Sequence, residues 1–448
     1  MTHSLDHLTQ SLLRQAAKAG ADAADVLAVR GSSMTVDVRS GTLEQAERSE
    51  GTDIGLRVFI GQRVANVSSS DLRKESLQAM AERAVAMARE APDDPFVGIA
   101  APDQLSEIRD ANDLELHDPA PEPAISELED DARRLEAAAL DVAGITQVSA
   151  ATAGYGWQDI HLATTSGFSG GYRRSSRHRS CVAIAGSGTA MERDHDADQR
   201  IFQDDLRTPE EIGRTAAERA TERMNPRKPK TGAYPVLFDE RVSQSLIGHL
   251  LSAINGVAIA RRSSWALDLM GAEVLPKSLT LTEDPHRRRV SGSRPFDAEG
   301  LETQARDIVR NGVLTGWTLD LATARKLGQT STANAVRGTS GGPTPGVSNV
   351  VLSAGDQSRD ELIAAMGTGL VVTSMIGSTI NANTGDYSRG AAGFWVENGE
   401  IRYPVSGVTI AGNLRDMLRT AIPANDARPW LSRVVPSLLV EGLTLAGE

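Results

Sequence analysis

The chain has 448 residues, too many for one ordinary core, since single cores stop growing near about 250 to 300 residues. Its 40% hydrophobic and 24% charged content, with a slightly negative mean hydropathy, fits a soluble globular protein and excludes disorder along the whole chain. Lys and Arg number 47 against 59 Asp and Glu, and the resulting charge of -12 repels polyanions, which argues against nucleic acid as a main partner.

Leu5, Leu8, Leu12, Leu13 and Ala16 recur at helical spacing and Gly20 closes the pattern, predicting an amphipathic helix. From Asp25 the period becomes two. Met34 to Val38 and Gly55 to Ile60, punctuated by Gly41, Gly51 and Gly61, predict an antiparallel meander. Asp71 is expected to cap a long helix running through Arg89. The three prolines between Asp118 and Pro123 predict an extended, solvated joint. A helix is expected from Ile125 to Leu140, strands from about Gln147 to Met191, and a helix from Pro209 to Met224. Two basic runs, Arg173 to Arg179 and His286 to Arg289, read as solvated faces or loops.

The proline-rich stretch from Asn225 to Pro235 is the best domain boundary. Beyond it Val236 to Phe238 predicts a strand, and Asp239 a helix cap. The stripe of Val242, Leu246, Ile247, Leu250, Leu251 and Ile254 is expected to stop at Gly256. Strands follow at Gly369 to Thr373, Gly393 to Glu397, Ile401 to Val405 and Ser437 to Val440, with Asn398-Gly399 as a type I′ hairpin turn. The expected class is α+β: an antiparallel sheet with helices in the N-terminal half, and a β-rich, sandwich- or barrel-like C-terminal domain with a packed helix. The expected divisions are 1–124, 125–228 completing the N-terminal half, and 229–448.

The single cysteine, Cys181, sits in an apolar stretch and is expected to be a buried thiol in a reducing compartment. No basic and apolar leader and no run of about 18 apolar residues is present, which predicts a cytoplasmic protein with no membrane partner.

No histidine is followed by Glu, so the helical zinc-hydrolase pattern is missing. His3 and His7 have chelating i, i+4 spacing but lie at the terminus, where fraying is the preferred reading. Asp194-His195-Asp196 has ligand-like residue types but is expected to meet water. G-x-S-x-G occurs around Ser169 and Ser340, yet Ser340 runs into prolines and Ser169 into glycines, so both read as loop serines. Residue chemistry alone therefore yields no catalytic constellation.

Several long blocks carry more information. Tyr234 to Phe238 with its helix, Pro295-Phe-Asp-Ala-Glu-Gly300, Arg325-Lys-Leu-Gly328, Met366 to Thr373 and above all Gly385 to Ile401 resemble the TldD/PmbA metallopeptidase family, in its PmbA (TldE) branch. Tyr403 to Ser406 and Ile410 to Leu414 continue the likeness. The resemblance implies a two-subunit metallopeptidase in which a TldD-type partner supplies an HExxxH helix. The PmbA-type chain would complete a chamber for extended peptides. Counted back from Gly256, the zinc-helix positions correspond to Ile247, Gly248 and Ser252, which cannot hold zinc. The resemblance thus implies no cofactor on this chain and zinc on the partner. His249 falls out of register and reads as a packing or partner-facing residue. Asp386, Tyr387, Ser388 and Arg389 are expected to line the subunit interface or chamber, against a competing reading of a plain turn with Arg389 paired to Asp386. The implied substrates are peptide precursors and antitoxin-like small proteins. Two other readings remain open: a homodimeric, non-catalytic peptide-binding scaffold, and a peptidase using Ser340.

Overall fold

In a computed structural model describing residues 4–448, apart from the Ser378 side chain, the N-terminal half builds one long, curved sheet. His3, and with it one half of the His3/His7 pair, lies outside the described residues. Helix α1 (Leu5–Ala19) is capped by Ser4 and ends on Gly20 at φ 99°, a left-handed value that glycine adopts without strain. Strands β1 (Ala23–Arg39), β2 (Thr42–Ile60) and β3 (Arg63–Ser69) lead to α2 (Lys74–Glu90). Then come α3 (Ile125–Leu140), β4 (Ile145–Thr164), β5 (Ser169–Ala185), β6 (Glu192–Arg200) and α4 (Pro209–Glu222). All pairings are antiparallel in the order β3-β2-β1-β4-β5-β6, so the chain on both sides of residue 124 contributes to one sheet.

Period two sorts the side chains of β1 between two environments. Ala24, Val26 and Ala28 pack under α1 and α2, while Met34, Val36 and Val38 pack under α3. Asp25, Leu27 and Val29 point the other way. Cys181 lies with Ala183 and Ala185 beneath α3 and α4, fully buried, and burial pushes its thiol up to about 12.

Several expectations are corrected. Gly51 does not break a strand: it lies inside β2, opposite Gly31. Helix α2 starts at Lys74, and Asp71 precedes it, accepting from the Arg73 amide at 3.1 Å and the Ser76 hydroxyl at 2.7 Å. Asp118 is buried rather than solvated, because its carboxylate accepts from the Ala120 and Gln203 amides, each at 2.9 Å. In the first basic run, alternation along β5 buries Arg177 and Arg179; Arg179 meets Asp131 at 2.9 Å. The second run is a loop, but a tied one. Arg288 and Arg289 both grip Glu115, and Arg287 donates to the Pro429 and Leu431 carbonyls.

In the C-terminal half, β7 (Gly232–Phe238) leads into α5 (Glu240–Ala253), capped by Asp239. Gly256 does not stop that helix. Asn255 instead caps α6 (Gly256–Ala260), which Gly256 opens. Short strands β8 (Leu281–Glu283), β9 (Arg306–Arg310) and β10 (Val313–Leu314) precede α7 (Leu321–Leu327). The pair β11 (Ala335–Val336) and β12 (Thr344–Pro345), β13 (Val350–Leu352) and α8 (Arg359–Met366) follow. The long strands are β14 (Gly369–Ile380), β15 (Asp386–Glu397) and β16 (Glu400–Asn413). After α9 (Leu414–Arg419), β17 (Ile422–Pro423) and β18 (Arg433–Val434), the chain closes with β19 (Leu438–Ala446). The series β16-β15-β14-β7-β19 becomes a closed barrel because β19 pairs back onto β16. Asn398 and Gly399, at φ 53° and 76°, form the β15–β16 hairpin turn as expected. Helix α5 drives Leu246, Ile247 and Leu250 into the barrel-side core beside Phe238 and Trp395.

Buried charge joins the halves. Asp25 receives Arg57 at 2.8 and 2.5 Å and, on its other oxygen, Arg337 of the C-terminal half at 2.5 Å. Burial pushes its pKa up, but Arg337 and Arg57 together hold it below the usual carboxylate range. Glu299 stands 3.8 Å from Arg57 and accepts from the Leu321 amide. Asp297 accepts from the amides of Glu299, Leu301 and Ala335. Those three donors favour charge on Asp297, so Glu299 carries the proton, its pKa pushed up to about 8 by burial and by Asp297. Around this cluster Phe296 meets Phe168 edge-on at 4.8 Å, and a Cβ on Gly300 would stand 2.9 Å from the Phe168 ring.

Asp25→Asn should destabilise the protein by about 3–5 kcal/mol, because two buried guanidinium groups lose their shared counter-charge. An unchanged calorimetric unfolding midpoint would refute that role. Folding favours protonated Glu299. Its contribution is therefore complete below the unfolded value of about 4.3 and is lost as pH rises through about 8. Glu299→Gln should accordingly flatten the fall of the thermal midpoint between about pH 5 and 8, and parallel curves for the two proteins would contradict the assignment.

Candidate functional site

Helix α5 stands where the resemblance expects a hydrolytic centre. Ile247 is fully buried in the core, Gly248 is half-exposed, and Ser252 is exposed with its hydroxyl donating to the Gly248 carbonyl at 2.9 Å. An alkyl side chain, a glycine and a hydroxyl already bonded to its own helix do not fit a zinc ion, which needs imidazole, thiolate or carboxylate donors. Among the described residues no group of three or more His, Cys, Asp or Glu side chains is placed to hold a metal.

Beside α5 opens a cleft of about 650 Å³ between β5–β6, the start of α5 and the segment from Arg428 to Arg433. Its wall carries an acidic stripe that the sequence does not advertise. Asp194-His195-Asp196 is expected to meet water; β6 instead places Asp194 and Asp196, with Asp198, on one buried face and leaves His195 exposed on the other. Arginines neutralise each of them. Asp194 is reached by Arg223 and Arg241, Asp196 by Arg207 and Arg219, and Asp198 by Arg200. Arg428 meets the half-buried Glu240 at 2.7 Å.

The cleft continues into a trough over the N-terminal sheet, made of two further cavities of about 480 and 540 Å³. Ser291 lines all three spaces. The floor is low because Gly31 and Gly51 face each other on β1 and β2, with Gly156 nearby on β4. Nothing lies within 4 Å of where a Gly51 Cβ would be. Arg174 donates to the carbonyls of Ser291 and Ser293 and ties the trough to the C-terminal half. Sequence reasoning missed this trough; the one available signal was glycine inside strand-like pattern, which marks close backbone approach or open space as well as turns.

His249 does not face that cleft's arginines but packs edge-on against Tyr387, ring centroids 6.0 Å apart. Its Nε2 is buried without a hydrogen-bond partner. Burial, then the neighbouring Arg389 charge, lowers its pKa, so it is neutral at physiological pH. Tyr387 is buried, its hydroxyl 3.2 Å from Met375 Sδ, and burial pushes it up to about 12. Arg389 does not pair with Asp386. Its Nε donates to the Gly377 carbonyl at 2.7 Å, because residues three apart on a strand face opposite sides. Asp386 instead accepts from Thr384 at 2.6 Å and Asn413 at 3.1 Å, and those bonds lower its pKa. Ser388 is half-buried on β15. The structure thus gathers His249, Tyr387 and Arg389, and leaves Asp386 outside the group.

Neither elbow-like serine has catalytic company. Ser169 donates to Asp6 at 3.2 Å, and Ser340 lies exposed in a turn whose Thr339 carbonyl presses on Gly55, where a Cβ would be only 2.0 Å away. A hydroxyl, an imidazole and a carboxylate do meet at Thr9, His161 and Asp6, at 3.0 and 3.5 Å. Thr9 is fully buried and its hydroxyl donates back to the Asp6 carbonyl, so no substrate carbonyl can reach it.

Comparison with known proteins agrees with this architecture. Family models described as PmbA/TldA metallopeptidase domain 1, central domain and C-terminal domain match residues 24–88, 118–224 and 231–447. The metalloprotease PmbA of Escherichia coli O157:H7 is 37% identical over 95% of this chain and 93% of its own length. The PmbA homolog of Haemophilus influenzae is 35% identical over 97% and 94%. A crystal structure from Bacteroides thetaiotaomicron superposes with a TM-score of 0.92 at 27% identity, covering both chains completely. The TldE of Thermococcus kodakarensis shares the fold, with a TM-score of 0.84 at 21% identity over 98% and 99% of the two chains. A β-sheet half and a closed barrel joined by buried charge, with family matches along nearly the whole length, place this chain in the PmbA/TldA metallopeptidase family.

Proposed function

We propose that this chain is the metal-free subunit of a two-subunit cytoplasmic peptidase, with zinc held by a TldD-type partner and extended peptides as substrates. The observation that carries the reading is α5: a helix in the place of a hydrolytic centre that offers Ile247, Gly248 and Ser252 to a metal. The open trough, floored by Gly31 and Gly51 and continuous with the cleft beside α5, supplies room for an extended chain. A TldD homolog of Haemophilus influenzae is 27% identical over 37% of this chain, which supports partners of related build. In this reading the chain walls the chamber and positions the peptide, while bond cleavage belongs to the partner. Precursor peptides and antitoxin-like small proteins are the proposed substrate class.

Ile376, 77% exposed at the end of β14 beside the Arg389–Gly377 contact, is the apolar side chain we assign to the subunit interface. No helix of the described residues is long and apolar enough to cross a membrane.

The test is zinc content and peptide cleavage of the purified chain with and without a TldD-type subunit. Zinc-dependent cleavage by the pair alone is expected. Stoichiometric zinc and cleavage by this chain by itself would overturn the proposal, and a stable self-dimer that binds peptide but recruits no partner would replace it with the scaffold reading. Ile376→Asp should weaken the pair about tenfold or more, since burial of such a side chain contributes about 1.5–3 kcal/mol, while leaving the chain's own thermal midpoint unchanged. Equal affinity of the variant would remove Ile376 from the interface.

A further inference from the structure

The cleft beside α5 is positively charged in a protein whose net charge is -12: Arg179, Arg219, Arg241, Arg428 and Arg433 line it against Asp196 and Asp198. Most of that charge is already matched. Arg179 is held by Asp131, Arg219 by Asp196, Arg241 by Asp194 and Asp239, and Arg428 by Glu240. Arg433 is different. Among the described residues its guanidinium makes no hydrogen bond and no ion pair, although it leans over α5 with Nη1 3.4 Å from where a Gly248 Cβ would stand. It projects from β18, whose backbone pairing with β13 fixes its base. The acidic groups of the wall cannot quench it, being buried behind their own arginines. Gln244, Ser432 and His195 add polar groups to the lining of the cleft.

Arg433 is exposed, and an unmatched guanidinium lining a cleft of about 650 Å³ attracts an anion, its planar fork suiting a carboxylate in particular. We propose that Arg433 is the anchor of a carboxylate-binding subsite that holds an acidic side chain or the C-terminal carboxylate of a bound peptide against α5. This rests on the reading that the chain handles peptides, but it concerns binding by this chain alone. The trough meets the cleft at Ser291 and Gln199, so a peptide lying over Gly31 and Gly51 can reach Arg433 with a carboxylate at one end or along its length.

The test uses the full chain and isothermal titration calorimetry with three blocked or unblocked pentapeptides. Ac-Ala-Glu-Ala-Glu-Ala-NH2 carries side-chain carboxylates only. Ac-Ala-Gln-Ala-Gln-Ala-OH carries a terminal carboxylate only, and its amidated form carries none. At least one carboxylate-bearing peptide should bind at least about tenfold more tightly than the neutral one, and whichever does names the source of the carboxylate. That preference should shrink as salt rises from about 50 to about 300 mM. Arg433→Gln should abolish the preference, and Arg433→Lys should retain part of it, with unchanged thermal midpoints because the side chain has no partner to lose. Equal binding of the three peptides, absence of binding by all three, or an undiminished preference in Arg433→Gln would each overturn the proposal. Cleavage by the paired subunits is measured separately, so loss of cleavage with binding intact would count against the two-subunit reading and leave this subsite standing.

Discussion

The carboxylate of Asp25, shared between Arg57 of the same sheet and Arg337 of the opposite half, is the interaction on which the arrangement of this molecule depends. A buried ion pair is costly to desolvate, and a hydrophobic contact of the same size would often serve stability as well. What it supplies here is register. Two guanidinium groups must converge on one carboxylate, so the C-terminal half can sit on the N-terminal sheet in one orientation. The Phe296–Phe168 contact and the press of Thr339 on Gly55 then fill the space around that fixed point.

That orientation produces the trough and the cleft. The face of β1 that carries Asp25 and Leu27 continues to Val29 and Gly31, which line the trough. At the cleft, the segment from Arg428 to Arg433 lies across α5 and β6. The Asp25 cluster at one end and a charged wall at the other thus define a path long enough for an extended chain.

The family blocks acquire physical meaning in this light. Pro295 to Gly300 is docking hardware: Phe296 meets Phe168 edge-on, Asp297 gathers amides, Glu299 faces Arg57, and Gly300, at φ 84°, lets Phe168 approach. Arg325 of the Arg-Lys-Leu-Gly block donates to the carbonyls of Phe96, Gly98 and Ile99, pinning an N-terminal loop to the C-terminal half. Neither block touches the cleft beside α5.

Much was legible in the sequence because it is local. The helix stripe ending at Gly20, the helix from Ile125 to Leu140, the Asp239 cap and the Asn398-Gly399 turn each follow from spacing and backbone preference within a few residues. The period-two segments between punctuating glycines likewise announced a sheet-bearing half and a β-rich domain. What only the tertiary structure decided is which charges are spent and which are free. Arg177, Arg179 and the aspartates of β6 look solvated in one dimension, yet pairing of β5 with β6 under α3 and α4 buries them, while Arg433, unremarkable in sequence, stands unmatched over Gly248. Charge compensation depends on neighbours distant in the chain, and one-dimensional periodicity reports a side chain's face but not its partner.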